Sequence, residues 1–254
     1  MSNSSLVKGD VAFQMRTMDK QKRTAKKYLE TLSIGDVIFE PYGNVPPDFS
    51  VGSAIGVEVR RLNENYFGPN ETKGLEEVDV PLHQKLREIL ISFDSRYEGR
   101  SFWVAIDFRR PLLGGIKGTG EDIRKTLDGF LKNSMTVPCE LRINTSITLQ
   151  IIPKSPVPNR LFRYGASVDD DSGGSDVELY SKNISHCIQV KSQKITLHKP
   201  RYDKWWLVLV DTMMFWDMEA DEVDQVRSGI LNMGSFDKLV VIDYLGDKCL
   251  FKMP

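Results

Sequence analysis

Residues 47–62 read PDFSVGSAIGVEVRRL, and the alternation inside this stretch decides the fold. Ile55, Val57 and Val59 fall on one side of an extended chain; Gly56, Glu58, Arg60 and Leu62 fall on the other. That period of two predicts a strand from Ala54 to Leu62. Just before it, Asp48-Phe49-Ser50-Val51 reads as a brief strand entered through Pro46 and Pro47, since proline is tolerated at a strand's start and not at its centre. Val37-Ile38-Phe39-Glu40 reads as a third, followed by the turn signal Tyr42-Gly43-Asn44.

Upstream, a helix is predicted from about Phe13 to Leu32. Met18, Ala25, Tyr28, Leu29 and Leu32 lie on one side, and Lys20, Lys22, Arg23, Lys26 and Lys27 on the other. That basic side is a candidate contact for a nucleic-acid backbone, although charged helix faces are usually just solvated. Downstream, helices are expected at about 81–93, 121–131, 177–197 and 221–231. Strands are expected at 101–108, 139–152, 205–210 and 238–244, with Pro153, Pro156 and Pro158 ending the second of these. Helices and strands interleave, which predicts α/β architecture with a mixed central sheet.

The chain has 254 residues, 41% hydrophobic and 27% charged, and can bury a core without a structural metal or disulfides. Its formal net charge of -1 excludes a global basic field, so any polyanion must meet a local patch. Cys139, Cys187 and Cys249 have neither disulfide-framework nor zinc-knuckle spacing. The start lacks an apolar signal core, and the longest apolar run, Trp205–Val210, is far short of a membrane span. A cytoplasmic protein is therefore expected.

If the strands carrying Asp48 and Glu58 pair as a hairpin, their carboxylates lie near one edge. Mg²⁺ typically takes one or two carboxylates, completed by water and substrate phosphate. Such an ion lowers the pKa of a bound water and neutralises charge on a phosphate. The competing structural reading makes Asp48 a turn residue after proline and Glu58 a buried strand residue paired with Arg60, which shares its face.

The order helix, strand, strand with Pro47-Asp48, strand with Glu58-Val59-Arg60, and later the helix and strand at 177–210, resembles the PD-(D/E)XK nuclease superfamily, which includes restriction endonucleases. The resemblance covers roughly residues 13–62 and 177–210, and makes 66–176 an insertion or accessory layer within one nuclease-like domain. It implies a restriction-endonuclease-like sheet flanked by helices. Asp48 and Glu58 would hold Mg²⁺ or Mn²⁺, and the substrate would be nucleic acid, DNA foremost. It equally admits a member that has lost catalysis and acts as a binding or structural component.

One position departs from the pattern: Arg60 stands where the superfamily has lysine. Arginine stays charged and cannot act as a general base, but it can hold a phosphate. Lys191 is the candidate replacement. It lies within the apolar stripe Ile184, Ile188, Ile195 at spacing i, i+4, i+7, i+11, where a lysine is rarely buried without a partner. In some superfamily members the motif lysine migrates onto this helix. The bland alternative is a lysine whose stem packs while its amine snorkels to water. Lys194, at the edge of the stripe, is a weaker candidate. Glu30 and Glu40 are remote candidates for a further acid, and an exposed pair with Lys26 suits Glu30 better.

The remaining motifs carry less. Trp205 and Trp206 enter an apolar strand and favour core packing over base stacking. Residues 169–176 lack EF-hand spacing and read as a surface loop. The three histidines show no ligand spacing. Gly114-Gly115 and Gly118-Thr119-Gly120 do not form a Walker loop.

Overall fold

The apolar run at 205–210 becomes the middle of a six-stranded sheet. The computed structural model describes residues 18–133, 136–173, 177–213 and 218–254. In chain order the first elements are α1 (Lys20–Thr31), β1 (Val37–Phe39), β2 (Phe49–Val51), β3 (Ile55–Leu62), β4 (Asn65–Phe67) and β5 (Thr72–Gly74). Next come α2 (Glu76–Ser92), β6 (Ser101–Phe108), α3 (Gly115–Lys132), β7 (Cys139–Arg142), β8 (Ile147–Lys154) and β9 (Phe162–Asp169). The last are α4 (Val177–Ile195), β10 (Lys204–Asp211), α5 (Ala220–Gly229), β11 (Lys238–Ile242) and β12 (Cys249–Met253). The chain is thus mixed α/β, and it clusters into two units, one running from Asn65 to Gly173 and the other holding the residues on either side.

The flanking unit carries the sheet β1-β2-β3-β10-β11-β12. β3, β10 and β11 run parallel, while β1, β2 and β12 add antiparallel edges. Central β10 is apolar on both faces because helices cover both. Trp206, Val208 and Val210 pack with Val57, Val59 and α1's Ala25 and Leu29. Trp205, Leu207 and Leu209 pack with Leu62 and with Tyr180, Ile184, Ile188 and Ile195 of α4. Each such aliphatic side chain stabilises by about 1.5–3 kcal/mol when fully buried. Gly56 is small for a local reason: a Cβ there would come within 3.0 Å of the Tyr202 ring and 3.2 Å of Trp205.

The inserted unit has its own core. The sheet β7-β8-β6-β9 packs one face on α2 and α3 through Leu86, Ile89, Ile106, Ile123, Leu127 and Leu149. Buried Arg110 ties its margin together. Its guanidinium donates to both Asp169 oxygens (2.6 and 2.8 Å), to Asp171 (3.2 Å) and to the Leu75 carbonyl (2.9 Å).

Several boundaries differ from the sequence reading. α2 starts at Glu76, five residues before Pro81, which lies inside the helix and leaves out one backbone hydrogen bond. α3 starts at Gly115, so the glycines at 115, 118 and 120 are helical. The expected strand 139–152 is a hairpin, β7 with β8, and β8 runs through Pro153 to Lys154. Asp169 and Asp171 are not loop residues without a role, since they hold Arg110. Strands β4, β5, β9 and β12 carry no strong alternation. The expected start of the first helix, before Met18, lies outside the described residues.

Candidate functional site

β2 is short because Pro46 and Pro47 precede it. Its last paired residue toward them is Phe49, opposite Val57. One step further, Asp48 and Glu58 stand across from each other where β3 continues and β2 has stopped. The Val59 N–H, which β2 no longer meets, donates to Asp48 Oδ2 at 2.8 Å. Asp48 is 5% exposed and Glu58 is fully buried.

Lys191 of α4 comes down onto this pair. Its Nζ lies 2.6 Å from Glu58 Oε2 and 3.2 Å from Asp48 Oδ2, so one ammonium touches both carboxylates. Its side chain is 13% exposed, which rules out a freely snorkelling amine. Lys194 reaches the same Glu58 oxygen at 3.2 Å from a more exposed position. On the opposite face of the sheet, Lys22 of α1 bonds Asp48 Oδ1 and Glu40 Oε1, each at 2.9 Å. Asp48 is reachable from both faces because it sits beyond the end of a strand. The result is three carboxylates, Glu40, Asp48 and Glu58, against three lysines, Lys22, Lys191 and Lys194.

These contacts set the charge states. Burial raises the Asp48 carboxyl, but the Lys191 charge, the Val59 N–H and Lys22 outweigh it and hold the group below its usual range. Burial lowers the Lys22 ammonium, yet bonds to Glu40 and Asp48 raise it on balance. Burial pushes the Cys187 thiol up to about 11 despite Arg60 and Lys191 nearby, so it is a neutral packing group.

The sequence candidates therefore separate. Asp48, Glu58 and Lys191 come together. Glu40 joins them through Lys22, while Glu30 pairs with Lys26 at 3.6 Å and is 57% exposed. Arg60 does not pair with Glu58; it is half-buried toward α4, where its charge depresses the His186 imidazole after burial has done so. Sequence reasoning placed Lys22 on the solvated side of α1. Its signal was available: Met18, Lys22, Ala25 and Leu29 follow the same i, i+4, i+7, i+11 spacing that singled out Lys191.

One atom speaks for a further ligand. Glu58 Oε1 is fully buried and has no hydrogen-bond partner, a state that calls for water or an ion. No cluster of three or more His, Cys, Asp or Glu side chains suited to a metal occurs among the described residues. A two-carboxylate donor set nonetheless suits Mg²⁺, which keeps several waters and leans on substrate phosphate. No protein-family model, curated protein or solved structure matches the chain. Among the described residues no helix is long and apolar enough to cross a membrane.

Proposed function

We propose that the chain is a nuclease-fold phosphodiesterase of the restriction-endonuclease-like type, in which Asp48 and Glu58 hold Mg²⁺ or Mn²⁺ against a nucleic-acid phosphate, DNA foremost. The observation that carries this reading is the Lys191 ammonium in contact with both carboxylates, the acid–acid–lysine grouping that the resemblance implies, with the lysine supplied by α4. When bound, the ion would lower the pKa of a water and neutralise charge on the scissile phosphate. Glu58 Oε1 and Asp48 would supply its protein oxygens. Lys191, displaced a short way outward, would keep its positive charge beside the phosphate and orient the attacking water. Arg60 has no carboxylate partner among the described residues and would add a second phosphate-holding cation.

The charge balance supports coupled binding. With three lysines facing three carboxylates, a dication alone would leave an excess of two positive charges. A phosphodiester brings one negative charge with it, so ion and substrate would enter together.

Purified protein incubated with DNA and RNA, with and without Mn²⁺, tests the reading. Cleavage should require the metal. Asp48→Ala and Glu58→Ala should each lower the rate by at least about a hundredfold, as loss of a group that stabilises transition-state charge does. Cleavage that survives both substitutions overturns the assignment. The same balance favours one rival reading, a nuclease-fold protein in which the lysines replace the ion and catalysis is lost. Calorimetry separates the two: saturable Mn²⁺ binding in the presence of an uncleavable DNA analogue supports the enzyme, and its absence supports the rival.

A further inference from the structure

The inserted unit carries a basic groove remote in sequence from the carboxylates. It lies where α2 meets the edge strand β9, and is lined by Arg87, Ile91, Arg160, Arg163 and Tyr164 with a volume of about 370 Å³. Arg160 is already engaged with Asp94 at 2.6 Å. Arg87 and Arg163 are exposed and have no carboxylate partner among the described residues. The Arg87 guanidinium instead lies 4.8 Å over the Tyr164 ring. A ring fixes the orientation of a guanidinium through its π face and leaves its N–H donors unused. Such an arginine is oriented in advance for an oxyanion.

The pattern continues onto the sheet face that α2 and α3 do not cover. Arg163 is the register partner of Trp103 in β6. The Trp103 ring is half-exposed and carries the Lys154 ammonium 4.2 Å from its centroid. Tyr164 and Arg163 are consecutive in edge strand β9 and point to its two faces, so Arg87 and Tyr164 on the α2 side join Arg163, Trp103 and Lys154 on the open side in a strip that turns round the edge of the sheet, cations alternating with rings. The far end of the same face has the opposite sign. Asp107, Asp170 and Glu140 gather there, and burial followed by the two neighbouring charges raises the Asp107 carboxyl. A polyanion is thus directed to the Trp103 end.

We propose that this strip is a binding site for single-stranded nucleic acid, with Arg87 and Arg163 on successive phosphates and Trp103 stacking a base once Lys154 swings from ring to phosphate. Alternating cations and rings match a ligand that alternates phosphates with flat bases. A free phosphate would use the arginines and ignore the tryptophan. The site uses none of the carboxylate cluster, so it stands or falls separately from the proposed cleavage.

Fluorescence anisotropy of a labelled thymidine oligonucleotide with the full-length protein, across a potassium chloride series, tests it. Arg87→Ala with Arg163→Ala should weaken binding on the order of tenfold or more and lower the salt slope by about 2, one per phosphate contact. Arg87→Lys with Arg163→Lys should keep the slope, which separates charge from folding. Trp103→Ala should weaken the oligonucleotide and leave inorganic pyrophosphate competition unchanged. EDTA is present throughout, so neither cleavage nor metal-dependent binding at the carboxylates contributes. Unchanged affinity and slope in the double alanine variant overturn the proposal. So does oligonucleotide binding no tighter than pyrophosphate binding, which would make this a small-anion site, or stronger binding to phosphatidylserine vesicles, which would make it a membrane contact.

Discussion

Lys191→Met keeps the aliphatic stem that packs beside Ile188 and removes the charge that two buried carboxylates share. Glu58, fully buried, is left with Lys194 as its cation, and Asp48 with Lys22 and the Val59 N–H. Removing one partner of a buried ion pair costs about 3–5 kcal/mol. Two lysines remain, so the lower end applies, about 3 kcal/mol. At roughly 2–4 °C per kcal/mol for a chain of this size, the melting temperature falls by roughly 6–12 °C. Urea denaturation followed by tryptophan fluorescence reads this directly, because Trp205 is buried in the same sheet. The substitution also leaves the carboxylates one positive charge short, which is the condition for a dication to bind without substrate. Mn²⁺ at about a hundred times its dissociation constant should return about 2.7 kcal/mol. A loss below about 1 kcal/mol refutes the shared buried charge. A full loss that Mn²⁺ does not relieve refutes the ion site, and leaves the lysine as a structural pin.

Arg110→Met strips a buried guanidinium from Asp169, Asp171 and the Leu75 carbonyl; it should destabilise the inserted unit by about 3–5 kcal/mol, visible as early loss of amide-exchange protection in 65–173. Tyr180→Phe removes the 2.8 Å hydrogen bond to buried Asp211, which also accepts from the Met213 N–H; about 1–3 kcal/mol should be lost in a denaturant titration. Asp48 is depressed below its ordinary value of 3.8, so its contribution is full above about pH 4 and disappears as the pH falls through the lower folded value; Asp48→Asn should flatten that acid limb of the stability curve, and an unaltered limb would contradict the assignment.

The parallel core was readable because its strands announce themselves. β3 alternates cleanly, and β10 is an unbroken apolar run between two helices whose stripes have clear periods. The pair Asp48 and Glu58 was readable for the same reason, since β2 and β3 fix their register. Lys191 was found as a cation inside an apolar stripe. Lys22 was missed because four other cations crowd α1, and composition hid its angular position beside Met18, Ala25 and Leu29. Glu58's actual partners were not readable, because Lys191 and Lys194 lie more than a hundred residues away in sequence and only tertiary packing chooses them over neighbouring Arg60. β9 and β12 escaped notice because neither carries a period-two apolar pattern: β9 is exposed over most of its length and β12 buries only Phe251. Asp169 and Asp171 read as loop because their partner, Arg110, is distant in sequence.

The pairing of β3 with β10, from Ile55 with Lys204 to Leu62 with Asp211, has a consequence for synthesis on the ribosome. β3 emerges long before the strand it must lie against, and the whole inserted unit is translated in the interval. Contacts of such sequence separation form late, and a strand without its neighbour is a hazard while it waits. Asp48 and Glu58 therefore leave the exit tunnel as hydrated anions. They become a neutralised centre only when α4 arrives and delivers its ammonium groups, more than a hundred residues later in synthesis.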